Sequence, residues 1–92
     1  MSQTIKKQVE IINKLGLHAR AAAKFVTIAA GFTSEIMVRR GEREVNGKSI
    51  MGVMMLAAAQ GAEIEIEITG DDAEQAMAAM EALIQDRFGE GS

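Results

Sequence analysis

The sequence predicts an α+β fold, an open-faced two-layer β-sandwich in which a four-stranded antiparallel sheet is covered on one face by three helices. Residues 62–69 alternate without a break, with Ile64, Ile66 and Ile68 set against Glu63, Glu65 and Glu67. A period of two makes a strand with one buried and one wet face, which suits a sheet covered on a single side. From Ala76 to Phe88 the apolar residues instead recur at three-and-four spacing, the stripe of an amphipathic helix. The periods switch along the chain in the order β-α-β-β-α-β-α. One-faced strands and amphipathic helices in that order pack as two layers around one core.

Each element has its own justification. Ile5 to Ile12 reads as the first strand, with Ile5, Val9 and Ile11 in phase. Ala19 to Ala30 is alanine-rich and spaces Ala22, Phe25, Val26 and Ala29 along one helical face. Gly31 is placed to end that helix as a C′ residue. Ile36 and Val38 share a face between Glu35 and Arg40. Arg40-Gly41-Glu42 then reads as a hairpin turn and Arg43 to Val45 as the return strand. Asn46-Gly47 marks a further turn. Ser49 is placed to N-cap a short helix from Ile50 to about Ala59, closed by Gly61. Gly52 costs that helix about 1 kcal/mol relative to alanine, so packing has to hold it. After strand 62–69, Thr69-Gly70-Asp71-Asp72 turns into the last helix, capped by Asp71 or Asp72 at its positive end. Its apolar face is Ala76, Met77, Met80, Leu83, Ile84 and Phe88. The tail Gly89-Glu90-Gly91-Ser92 is expected to fray.

Composition narrows the function classes. The 92 residues make one domain, 1–92, which buries roughly 60–68% of its unfolded surface. Cysteine is absent and His18 is the only histidine, so neither a disulfide framework nor a metal site is expected, and no cofactor is indicated. No stretch approaches about 18 apolar residues, and the N-terminus lacks an apolar signal core. The expected location is the cytoplasm, without membrane association. A net charge of −3 and only three aromatics, Phe25, Phe32 and Phe88, argue against a nucleic-acid partner. The charged runs on the hairpin (Arg39, Arg40, Glu42, Arg43, Glu44) and on strand 62–69 read as solvated faces.

The chemistry concentrates at His18, in the run Gly16-Leu17-His18-Ala19-Arg20-Ala21. A residue at a helix N-cap stands beside the first unpaired N–H groups, which form an anion site reinforced by the helix dipole. The same dipole disfavours the imidazolium ion and so helps keep a ring nitrogen free as a nucleophile. Once a phosphoryl group is attached, the backbone amides of Ala19, Arg20 and Ala21 can cradle it. Arg20 can swing its guanidinium onto the phosphoryl oxygens. Gly16 would let the loop turn tightly enough to present the ring. A lone histidine at a helix start is also common as a plain surface residue, so the surrounding run has to decide.

That run, followed by an alanine-rich helix, resembles the active-site signature of the HPr family, the histidine-containing phosphocarriers of the bacterial phosphoenolpyruvate-dependent phosphotransferase system. A second block, Asn46-Gly47-Lys48-Ser49-Ile50-Met51-Gly52-Val53-Met54-Met55-Leu56, resembles the family's regulatory-serine segment. Gly61-Ala62-Glu63-Ile64-Glu65-Ile66 agrees as well, so the resemblance spans essentially the whole chain. It implies a relay protein rather than a stand-alone enzyme. By that resemblance enzyme I is expected to pass a phosphoryl group to Nδ1 of His18, with Arg20 as its anion partner, and the carrier to hand it to an enzyme IIA. The chain departs from the family at Ala21, where proline is usual. Alanine keeps the helix and adds an N–H donor, so transfer is expected to survive.

Two further features follow the resemblance. Ser49 is fully explained as an N-cap, and the family adds phosphorylation by the HPr kinase/phosphorylase, which would place about −2 charge beside the site. Ile50, Met51, Val53, Met54, Met55 and Leu56 make the second helix apolar nearly all round. Part of that is core. The excess suggests a docking patch rimmed by Arg20, Lys24 and Lys48, suited to brief binding of several partners by a monomer. Two alternatives stay open: a regulatory, nitrogen-branch paralogue with the same histidine chemistry, and a non-catalytic α+β binding module in which His18 is incidental.

Overall fold

The computed structural model describes residues 2–92. The chain runs through β1 (Gln3–Glu10), α1 (Ala19–Ala29), β2 (Glu35–Arg40), β3 (Arg43–Asn46), α2 (Ile50–Met55), β4 (Glu63–Gly70) and α3 (Ala73–Gln85), and ends in a 3-10 turn at Arg87–Gly89. The sheet order is β1-β4-β2-β3, with every neighbouring pair antiparallel. Three helices cover one face, as the alternation and the stripes imply.

Register explains the core. Ile68 lies between Ile5 and Ile36, and Ile66 opposite Val38, so the branched residues of β2 and β4 share one face. That face is fully buried under Phe25 of α1, Val53 of α2 and Met77, Met80 and Ile84 of α3. Strand β1 lies at the edge, and its Ile5 and Val9 are only partly covered. The opposite face is not simply solvated. Arg39 donates to Glu65 at 2.9 Å and to Glu67 at 2.6 Å, and it also pairs with Glu44. The Arg39 hydrogen bond holds the Glu67 carboxyl below its ordinary value.

Helix α1 ends as read, with Ala30 as its C-cap and Gly31 at C′, although Gly31 is not left-handed and its N–H donates to Ile28 O at 3.0 Å. The end of α2 differs from the sequence reading for a local reason. Helix α2 stops at Met55 rather than near Ala59. Ala57 adopts φ 50°, and Ala58 turns its carbonyl to accept from Leu17 N–H at 2.9 Å. Gly61, at φ 90°, serves the entry to β4 instead of closing α2.

Asp72 is the N-cap of α3, but its carboxylate does not bond that helix. It accepts from Thr33 N–H at 2.8 Å and Ser34 N–H at 3.0 Å, and from the hydroxyls of both residues. It therefore fastens the α1–β2 loop to the start of α3. The Ser34 hydroxyl, then the Thr33 amide, lower its pKa from 3.8 to about 2. A depressed carboxyl stabilises the fold above its unfolded pKa and loses that contribution as pH falls through the folded value. Denaturation of wild type and Asp72→Asn should therefore show a stability gap that is constant at neutral pH and closes between about pH 4 and pH 2. A gap that persists unchanged to pH 2 would refute this role.

Candidate functional site

The site is built by a loop, a helix start and the C-terminal tail. After β1, Ile11 is buried and its N–H donates to Ala62 O at 2.9 Å, which keeps the chain on the sheet edge. Asn13 is buried and donates from Nδ2 to Gly16 O at 2.8 Å. Gly16 takes φ +67° and lies against the backbone of Ala58 and Ala59. Leu17 then plugs into the core, and His18 emerges next to it. The loop is thus held at both sides of the ring.

His18 is the N-cap of α1, with φ −73° and ψ 178°. Its side chain makes no capping bond to the helix. The first intrahelical bond is Ala22 N–H to His18 O at 2.8 Å, so the amides of Ala19, Arg20 and Ala21 precede the ladder and have no partner within it. Ala21 itself is buried and helical, in keeping with the N-terminal turn that proline would also allow. Arg20 is exposed and makes no hydrogen bond or ion pair among the described residues. It lines a shallow groove with Ala23, Lys24 and Leu83. The ring and the amides are therefore brought together, while Arg20 stands two residues away, exposed and without a side-chain partner among the described residues.

The tail reverses the expectation of fraying. Beyond α3, Arg87 and Phe88 both adopt φ 54°, a left-handed conformation uncommon outside glycine. The pair turns the chain back and drives Phe88 fully into the core. Lys24 Nζ donates to Phe88 O at 2.6 Å, and Lys14 N–H donates to Ser92 O at 3.1 Å. Between these ties the Glu90 carboxylate is set against the site. One oxygen accepts from Asn13 Nδ2 at 2.9 Å and the other contacts Nε2 of His18. The Glu90 side chain is 10% exposed and that of His18 is 29% exposed. Burial opposes ionisation of Glu90, but hydrogen bonds from His18 and Asn13, with the nearby charges of His18 and Lys24, hold its pKa below the ordinary value. The sequence reading missed Glu90. The available signal was Phe88: an aromatic in phase with the core four residues past Ile84 anchors whatever follows it.

Helix α2 lies beside α1. Ser49 caps it as expected, its hydroxyl accepting from Gly52 N–H at 3.0 Å. Ile50, Met51, Met54 and Met55 are exposed, Met51 by 69%, and Leu15 of the His18 loop adds a side chain that is 66% exposed. Leu15 was not foreseen as part of this patch. Val53 is a correction in the other direction: it is wholly buried against the sheet and offers no docking surface, as is Leu56. Met51, Met54 and Met55, three and four residues apart, share the outer face of α2, and Val53 lies off that face. Lys48 donates from Nζ to Phe32 O at 2.7 Å, so the two lysines of the three-residue basic rim, Lys24 and Lys48, are fastened to carbonyls. Among the described residues no cluster of three metal-ligating side chains occurs, and no helix is long and apolar enough to cross a membrane.

Comparison with known proteins points the same way over nearly the full length. The PTS-HPr family, described as "PTS HPr component phosphorylation site", matches residues 5–86. The chain is 56% identical over 87 residues to the phosphocarrier protein HPr of Neisseria meningitidis serogroup A, covering 95% of this chain and 98% of that protein. It is 52% identical to the phosphocarrier protein HPr of Cupriavidus necator, again covering 95% of this chain and 98% of the relative. The crystal structure of HPr-C-His from Thermoanaerobacter tengcongensis superposes with a TM-score of 0.90 at 46% identity, covering 94% of this chain and 97% of that one.

Proposed function

The chain belongs to the HPr family, the phosphocarriers of the phosphotransferase system, and on that premise we propose that His18 is the phosphoryl acceptor and donor. It takes the group on Nδ1 from phosphorylated enzyme I and passes it to an enzyme IIA. The reading carries with it a cytoplasmic location. The observation that supports it best is the N-cap placement of His18, with a ring not consumed by capping and three unpaired amides beside it. Phosphoryl transfer needs positioning and charge stabilisation more than bond-making groups, and a helix start supplies both. Arg20 has no competing partner among the described residues and can close on the phosphoryl oxygens.

Docking in this reading uses Leu15, Ile50, Met51 and Met54, an apolar and adaptable patch next to the ring. Lys24 and Lys48 each donate one proton to a carbonyl and keep their charge at the rim, which favours acidic partners. Ser49 sits at the N-terminus of α2, where a phosphate is tolerated locally and would set negative charge on the docking face.

The experiment is incubation with enzyme I, magnesium and phosphoenolpyruvate, read by intact mass before and after brief acid. One acid-labile phosphoryl group, absent in His18→Ala, is the expected result. Enzyme I that charges another carrier but leaves this chain unlabelled would overturn the assignment. The Ser49 role is read in the same assay with ATP and an HPr kinase. An acid-stable adduct that Ser49→Ala lacks is expected, and no adduct from a kinase active on a known substrate would remove it.

A further inference from the structure

We propose that Glu90 is a positioning residue for His18: its carboxylate holds the ring proton on Nε2, directs Nδ1 to the phosphoryl group and balances the charge that appears on the ring during transfer. The inference rests on the phosphocarrier reading for its kinetic part and on geometry for the rest.

The geometry is specific. The carboxylate reaches the ring through Nε2, and Nδ1 has no hydrogen bond among the described residues. An ionised carboxylate only accepts, so the shared proton belongs to Nε2 and the lone pair to Nδ1. Several independent ties keep Glu90 in place. Phe88 is buried two residues before it, Lys24 holds the Phe88 carbonyl, Asn13 donates to its second oxygen, and Ser92 is bonded to Lys14. Asn13 couples the two halves, since the same Nδ2 also donates to Gly16 O at 2.8 Å and so ties the tail to the loop that presents the ring. A tail without a task would not need two consecutive left-handed residues to bring a carboxylate back onto a histidine.

The chemistry gives the contact a purpose. As the P–Nδ1 bond forms, the bond between phosphorus and the donor breaks and the donor keeps its electron pair. Nε2 keeps its proton, so the neutral imidazole becomes a phosphorylated imidazolium. Its positive charge lies beside the helix dipole, which disfavours it. A carboxylate at Nε2–H offsets that charge and orients the ring, as a carboxylate does behind any histidine that becomes cationic in a transition state. In the reverse step the same contact keeps the ring protonated, which makes it the better leaving group. Glu90 therefore speeds loading, and on unloading it keeps Nε2 protonated so that the ring leaves as neutral imidazole.

The test compares wild type, Glu90→Gln and Glu90→Ala. Ring-nitrogen NMR of the unphosphorylated protein needs no partner. Wild type should show a protonated Nε2 with a slowly exchanging proton. Glu90→Gln, whose amide oxygen can still accept, should keep that tautomer, and Glu90→Ala should admit the Nδ1–H form and fast exchange. Single-turnover transfer from phosphorylated enzyme I should then fall about tenfold to hundredfold in maximal rate for Glu90→Ala, with KM unchanged and Glu90→Gln between the two. An unaltered ring spectrum together with an unaltered rate in Glu90→Ala would overturn the proposal, as would a loss confined to KM. If wild type were not phosphorylated at all, the carrier reading would fail, while the ring spectra would still decide whether Glu90 sets the tautomer.

Discussion

Gly16→Ala should be among the most damaging single changes in this chain, destabilising it by about 3 kcal/mol or more. Two independent causes act at one atom. Gly16 is at φ +67°, where a Cβ is disfavoured in any setting. That Cβ would also stand 2.5 Å from Ala58 O and 2.8 Å from Ala59 Cα, and both are backbone atoms. No rotamer change relieves a backbone clash, so either the His18 loop or the segment after α2 must move. Moving either breaks the Leu17 N–H bond to Ala58 O and shifts Leu17, the buried residue directly before the histidine. Urea denaturation reads the stability loss. Phosphoryl loading at a temperature where the variant is still folded reads the displacement of the site. By contrast Gly41, at φ +62° on the open hairpin with no atom near its Cβ, should cost only the conformational part. Near-equal effects of alanine at 16 and 41 would show that the close approach to Ala58 carries no weight.

The contrast between those glycines shows what was legible in the sequence. Periodicity found all four strands and three helices, because a buried face imposes its spacing on Ile64, Ile66 and Ile68, or on Ala76, Met80 and Ile84, whatever surrounds them. The His18 run was legible because the position of a residue relative to a helix start is itself local. Contacts set by long-range return of the chain were not. Asp72 reads as a helix cap in sequence, yet its carboxylate serves Thr33 and Ser34, which are brought to it by the pairing of β2 with β4. Helix α2 reads as reaching Ala59, but a backbone carbonyl was needed at Leu17 and the helix ended at Met55 to supply it. Val53 and Met54 look alike as apolar neighbours, and only the orientation of α2 on the sheet sends one inward and the other out. Glu90 is the largest case. Flanked by Gly89 and Gly91 near the end of the chain, it carries every local mark of a loose tail.

What converts that tail into part of the site is Phe88, and Phe88→Ala is the second change with a large expected effect. The ring is fully buried, so its removal should destabilise the protein by about 3–5 kcal/mol through lost contact and residual cavity. The consequence at the site is separate from that loss. Phe88 and Arg87 sit at φ 54°, a conformation that persists only while something over-determines it. With the ring gone, the turn is free to relax, the Phe88 carbonyl leaves Lys24, and Glu90 is carried off Nε2 of His18. The variant should therefore show, while still folded, the fast-exchanging His18 ring proton expected of Glu90→Ala. Phe88→Leu separates the two effects. It keeps most of the buried volume and should retain the tail contact at a much smaller stability loss. A folded Phe88→Ala protein with a wild-type His18 ring spectrum would show that the left-handed turn holds Glu90 without its anchor. The Asn13 and Ser92 bonds would then be the ties that matter.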